Sequence, residues 1–171
     1  ESERRAYVIR YGSPTVWIID PGTQSEDGFK IGELDLTPYD ADGVPEAADG
    51  LIVDGKLFVL MQRLTEFAPV QDSYVAVFDL ATGTEIATGG GQDGLDGILL
   101  PVSNAESMQY IEATDEILVT GRGNLFGNAA VTGDPYRGGL VSVDPDDYAV
   151  ELLTDDGTAD DNEGFFADAL V

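Results

Sequence analysis

The sequence predicts an all-β chain made of repeated four-stranded antiparallel units, and three observations carry that expectation. Short runs rich in β-branched and aromatic residues alternate with Gly, Pro and Asp-Gly punctuation along the chain. No stretch sustains a period of 3.6, and no capped helix longer than two turns is visible. Finally, landmarks recur at about one spacing. The Asp closing the third run of a unit falls at Asp20, Asp79 and Asp144, 59 and 65 residues apart. The Glu ahead of the first run falls at Glu46, Glu106 and Glu163, 60 and 57 residues apart. Four antiparallel strands repeated in this way predict a β-propeller, with an antiparallel sandwich as the competing architecture.

Taken in order, Ala6–Tyr11 and Thr15–Asp20 form two strand-like runs across a Gly-Ser-Pro turn, and Phe29–Leu36 reads as a third, outer strand. The second unit is the fullest. Gly50–Val53 and Lys56–Gln62 flank Asp54-Gly55, the strongest short hairpin signal. Tyr74–Asp79 is its third run and Thr84–Thr88 its fourth, followed by a Gly-rich loop that lacks the Lys-Ser/Thr of a phosphate-binding loop. The third unit reads Met108–Ala113, Glu116–Gly123, Gly139–Asp144 and Tyr148–Leu153. The units span approximately 6–36, 46–88 and 106–154, with 163–171 as the first strand of a further one. About three blades are therefore present in one domain over 1–171. Propellers close with roughly four to eight blades, so the expected setting is a portion of a longer ring or half of a dimeric one.

Composition narrows the chemistry. With 33 acidic and 8 basic side chains the formal net charge is -25, which makes nucleic acid and anionic membranes poor partners. Cys and His are both absent, which removes thiolate chemistry, zinc-thiolate sites and the commonest general base. A bound metal should then be a hard, oxygen-seeking ion such as Ca²⁺. No apolar run approaches the ~18 residues of a membrane span. The chain begins at Glu1, so a removed leader is expected.

Several runs match one motif. Tyr7-Val8-Ile9-Arg10 is followed by Val16–Gly22, Leu57–Leu60 by Val75–Gly83, and Ile117–Thr120 by Leu140–Pro145. In these pairs the chain resembles the YVTN-type family of bacterial and archaeal surface and periplasmic propellers, although the Asn of the name motif is absent each time. The resemblance implies a propeller fold and an extracellular, periplasmic or cell-surface location. It also implies that the first strand of each blade lines a central channel.

On that geometry, Glu46, Glu106 and Glu163 gather at one mouth with Arg10, Arg63 and Arg122, which end or follow the second strands. Asn104 joins them. The same mouth gathers Asp40, Asp42, Asp160, Asp161 and Asn162, the candidate Ca²⁺ ligands. An alternating ring of carboxylates and guanidiniums around a polar funnel is the expected site. Its bland alternative is a set of ion pairs that lock blade to blade. Tyr136 and Arg137 are further recognition candidates, whereas Trp17 and Phe58 are expected in the core. The expected role is a secreted or surface binding and scaffold module for a small ligand, a protein partner or the remainder of its own ring. The alternatives are a propeller hydrolase, lactonase or lyase using funnel carboxylates, and self-assembly through open strand edges.

Overall fold

The computed structural model describes residues 5–124, 136–158 and 161. Among them the chain is all-β, with eleven strands in three antiparallel sheets. Sheet 1 holds β1 (Ala6–Val8), β2 (Thr15–Ile19) and β3 (Lys30–Asp35) in that order. Sheet 2 holds β4 (Ala47–Val53), β5 (Lys56–Met61), β6 (Tyr74–Asp79) and β7 (Ile98–Leu99). Sheet 3 holds β8 (Ala105–Ile111), β9 (Glu116–Arg122), β10 (Gly138–Val143) and β11 (Val150–Asp155). The helical content is one turn, α1 (Glu26–Phe29), and a 3₁₀ turn at Thr37–Tyr39. These three sheets do not close into a barrel or ring among the described residues.

The sheets stack face to face in chain order. Leu57, Val59, Met61, Tyr74, Ala76 and Phe78 pack against Val16, Leu34, Leu36 and Tyr39 from the sheet 1 side. The intervening residues Phe58, Leu60, Val75 and Val77 pack against Val119, Val141 and Val143 of sheet 3. Sheet 2 is thus buried on both faces, which is why β5 and β6 read as continuous apolar runs instead of alternating ones. The β4–β5 hairpin turns on Asp54 (φ 45°) and Gly55 (φ 76°), a pair of left-handed residues that matches strand twist.

The recurring Asp has a local cause. Asp20 Oδ1 accepts from the Gly22 N–H, Asp79 Oδ1 from those of Ala81 and Thr82, and Asp144 Oδ1 from those of Asp146 and Asp147. Each is a side chain closing its own turn at the end of β2, β6 or β10. At the same end, cations tie sheet to sheet. The Arg5 guanidinium donates to the Leu80 carbonyl at 3.1 Å and the Lys56 ammonium to the Pro145 carbonyl at 2.7 Å. Leu80 and Pro145 each follow the turn Asp, while Arg5 directly precedes β1 and Lys56 is the first residue of β5. The same contact is therefore made twice, one sheet further along. In sheet 3 the corresponding residue is Glu116, which accepts from the Ser142 hydroxyl.

Two expectations are corrected. Thr84–Thr88 is not the whole fourth strand of sheet 2. Its residues pair with the far half of β6, through a Phe78–Glu85 bridge and an Ile86 N–H to Val77 carbonyl bond of 2.8 Å. The chain then leaves through the Gly-rich stretch and returns as β7, which pairs with Tyr74 and Val75. Gly97 permits the return: a Cβ there would stand 2.5 Å from the Val75 carbonyl oxygen. The second correction concerns Phe29, which closes α1 ahead of β3 and so lies outside the strand.

Candidate functional site

Strand register decides which residues are equivalent. In β4 the pairing with β5 slips between Ala47 and Asp49; in β8 the pairing with β9 slips between Ala105 and Ser107. The one-residue bulges are therefore Ala48 and Glu106. Two residues earlier, Glu46 (φ 47°) and Asn104 (φ 54°) both stand in the left-handed region. Their carbonyls accept from Gln62 N at 3.2 Å and Arg122 N at 3.1 Å. Glu46 is thus the counterpart of Asn104, and Glu106 that of Ala48, which corrects the expected pairing of Glu46 with Glu106. The three arginines are not equivalent either. Gly12, Arg63 and Gly123 share one left-handed position, with φ of 70°, 58° and 61°. The preceding position is Tyr11, Gln62 and Arg122, and the one before that is Arg10, Met61 and Gly121.

Each predicted residue has a definite place. The Arg10 guanidinium carbon lies 4.0 Å from the centroid of the Trp17 ring, on the face of sheet 1 turned away from sheet 2. It is not part of the mouth. Arg63 is a clamp: Nε donates to the Tyr39 carbonyl at 2.6 Å, one terminal nitrogen to the Asp72 carbonyl at 3.2 Å and the other to Gln71 Oε1 at 3.0 Å. Its guanidinium also covers the Tyr74 ring at 4.8 Å. Glu46 is only 9% exposed, and its Oε2 accepts from Leu64 N at 2.8 Å. Burial pushes its carboxyl above the usual range and Asp40 and Asp42 add to that, against the downward pull of the Leu64 N–H. Glu106 pairs with Arg122 at 2.6 Å. The Asn104 side chain donates to the Gly123 carbonyl. Arg137, expected as an exposed recognition residue, is instead paired with Asp72, which ties sheet 3 to the loop before β6.

The proposed metal ligands are engaged differently. Asp40 Oδ2 accepts from Gln71 Nε2, and Asp42 Oδ1 from the Val44 N–H at 2.7 Å. Asp161 sits in a turn, its N–H donating to the Thr158 hydroxyl. Asp160, Asn162 and Glu163 lie outside the described residues, as does the strand expected at 163–171. Among the described residues no group of three or more acidic side chains converges. Asp40 and Asp42 do not by themselves fit Ca²⁺, which takes about 6–8 oxygens.

What does converge is a shallow cavity of about 310 Å³ lined by Tyr11, Ala48, Gln62 and Glu106. The Tyr11 hydroxyl donates to Gln62 Oε1 at 3.0 Å, joining sheet 1 to sheet 2 across it. Burial raises the phenol's pKa, and the negative charges of Glu46 and Glu106 raise it further; of the two carboxylates, Glu106 lines the opening. The left-handed Gly12, Arg63 and Gly123 turn the chain just beyond Tyr11, Gln62 and Arg122, and the first two of these line the opening. Tyr11 and Gln62 escaped the sequence reading. Their signal was the residue that follows them, a Gly or a left-handed Arg, and only strand register makes it readable.

The fold and site define an all-β protein of three stacked antiparallel sheets with a polar opening at one end of the stack. No protein-family model matches the chain, and no curated protein matches it significantly.

Proposed function

We propose that the chain is a β-propeller-type binding and scaffold module that works at a surface or in an extracytoplasmic space, with the Tyr11–Gln62–Glu106 opening facing its ligand. The observation that carries this reading is register. Tyr11, Gln62 and Arg122 occupy one position in three successive sheets; Tyr11 and Gln62 line one opening together with Glu106, and Arg122 pairs with that Glu106. Sheets repeated about an axis bring equivalent residues together in this way; a two-layer sandwich has no reason to. Further support comes from β4 and β8, which run side by side, with Asp49 Oδ2 accepting from Met108 N at 2.8 Å. The resemblance to YVTN-type propellers and the repeated Arg5 and Lys56 ties point the same way.

Sheet 1 lacks a counterpart of β4 and β8 among the described residues, so β1 has an open edge. In this reading another strand, from further along the same protein or from a partner, completes the sheet. The test is a screen of neutral and charged small ligands against the wild type and a Tyr11→Phe, Gln62→Ala double variant. Ligands lost by the variant at unchanged melting temperature support the reading. A panel with no ligand sensitive to these substitutions sinks it.

A further inference from the structure

Resting on the reading of the three sheets as one repeat, we infer that the open edge of sheet 1 receives an extended peptide segment of a second protein, which pairs antiparallel with β1. Two backbone donors point to it. In sheets 2 and 3 the residues just after the second strand bond to the chain entering the first. Gln62 N donates to the Glu46 carbonyl at 3.2 Å and Arg63 N to the Pro45 carbonyl at 3.1 Å. Arg122 N and Gly123 N repeat this on the Asn104 and Ser103 carbonyls, both at 3.1 Å. Tyr11 and Gly12 hold the same two positions in sheet 1, and among the described residues neither N–H donates to another backbone group. β1 also pairs with β2 alone, whereas its counterparts β5 and β9 each have a strand on both sides. An unpaired edge of this kind is a template for another chain.

The place beside β1 is already bounded by β4. Leu60 of β5 shares a core with Met108 of β8. One sheet earlier, Ile9 makes the equivalent approach to Gly50 of β4, where a Cβ would stand 2.6 Å from the Ile9 Cδ1. The chain at β1 is therefore held against sheet 2 in the posture of a second strand, and the incoming segment lies along β4 as β4 lies along β8.

Those two strands also state what the segment must be. It enters through a residue in the left-handed region, as Glu46 and Asn104 do, which favours Asn or Gly. The next residue is small, because Ala47 and Ala105 are 2% and 0% exposed. A bulge residue follows at the Ala48 and Glu106 position, and it joins the opening beside Tyr11. The segment ends on a β-branched apolar residue in the place of Val53 and Ile111.

The experiment is amide hydrogen exchange on the full chain, read by NMR, with a blocked peptide of residues 102–112 as the probe. In the free protein the Tyr11 and Gly12 amides are expected to exchange at least ten-fold faster than those of Gln62 and Arg63. Saturating peptide should slow them at least ten-fold, while the same peptide with Ala105→Leu should not. The inference is overturned if Tyr11 and Gly12 are already protected in the free, dilute protein, or if the two peptides act alike. It also falls if protection appears instead along β11, which would mean indiscriminate edge pairing. Protection that grows with protein concentration, without peptide, would assign the edge to a second copy and remove the foreign segment. A peptide that fails while ligands still depend on the Tyr11 and Gln62 side chains would remove the strand and keep the opening. Failure of both would remove the two together.

Discussion

The ammonium of Lys56 lies 2.7 Å from the carbonyl oxygen of Pro145, reaching from the first residue of β5 to the turn that follows β10. Arg5 makes the same reach to Leu80 one sheet earlier. Two of the eight basic side chains are thus spent on one repeated contact that joins neighbouring sheets.

Replacing Lys56 by Met keeps most of the stem and removes the charge. A hydrogen bond from a charged donor contributes about 1.5–3 kcal/mol when sheltered, and Lys56 is mostly so, whereas its ion pair with the exposed Asp146 adds little. The expected loss is about 1–2 kcal/mol, read as a lower urea midpoint with unchanged slope.

Arg63 should matter more. It donates to the Tyr39 carbonyl, the Asp72 carbonyl and Gln71, holding the turn before β4 against the loop between β5 and β6. Arg63→Ala is expected to lower stability by about 1–3 kcal/mol, since it leaves partly buried acceptors unmet. Arg63→Lys should recover less than half, because an ammonium lacks the planar fork. Urea denaturation of the two variants checks the order.

Gly97→Ala tests the return of the chain into β7. The added methyl meets the Val75 backbone carbonyl, which cannot rotate away, so the expected cost is about 1–3 kcal/mol. Amide exchange should quicken at Ile98 and Leu99 before it does at β5.

The pH dependence follows from Glu85, which accepts from the buried Tyr39 hydroxyl. Burial raises its carboxyl first, and the charges of Asp96 and Asp35 raise it further, against the lowering by that hydrogen bond. A carboxyl raised on folding holds its proton more tightly in the native state. Its contribution is therefore complete below its ordinary value of 4.5 and is lost as pH rises through the folded value. Glu46 acts in the same direction. Glu85→Gln keeps an acceptor for Tyr39 without the charge. It is expected to melt above wild type at pH 7, with the gap closing as pH falls below 4.5. A gap that is constant with pH would contradict this account.

Much of the fold was legible because burial on two sides leaves an unmistakable trace. Leu57–Met61 and Tyr74–Phe78 can be little else than strands between two cores. The Gly-rich stretch hid β7, since a two-residue strand after a long excursion has no periodicity to read. The site was less legible, for a reason of register. The β4–β5 hairpin turns on Asp54-Gly55, whereas β8 and β9 are joined through Glu112–Asp115. That two-residue difference moves the first strands against the second, so that Glu46 aligns with Asn104 while Leu57 still aligns with Ile117. In sheet 1, the Ala6–Ile19 pairing matches Leu57–Phe78, one residue away from the alignment that the motif suggests. A one-residue slip in a strand exchanges its faces, and it carried Arg10 from the mouth to the ring of Trp17.

The middle sheet owns no interior of its own, since every large side chain of β5 and β6 belongs to a layer shared with a neighbour. Loosening sheet 3 would strand Phe58 and Leu60 in water, and loosening sheet 1 would do the same to Val59 and Met61. Heat should therefore find no weak seam: calorimetry is expected to record one sharp endotherm, the whole stack letting go together.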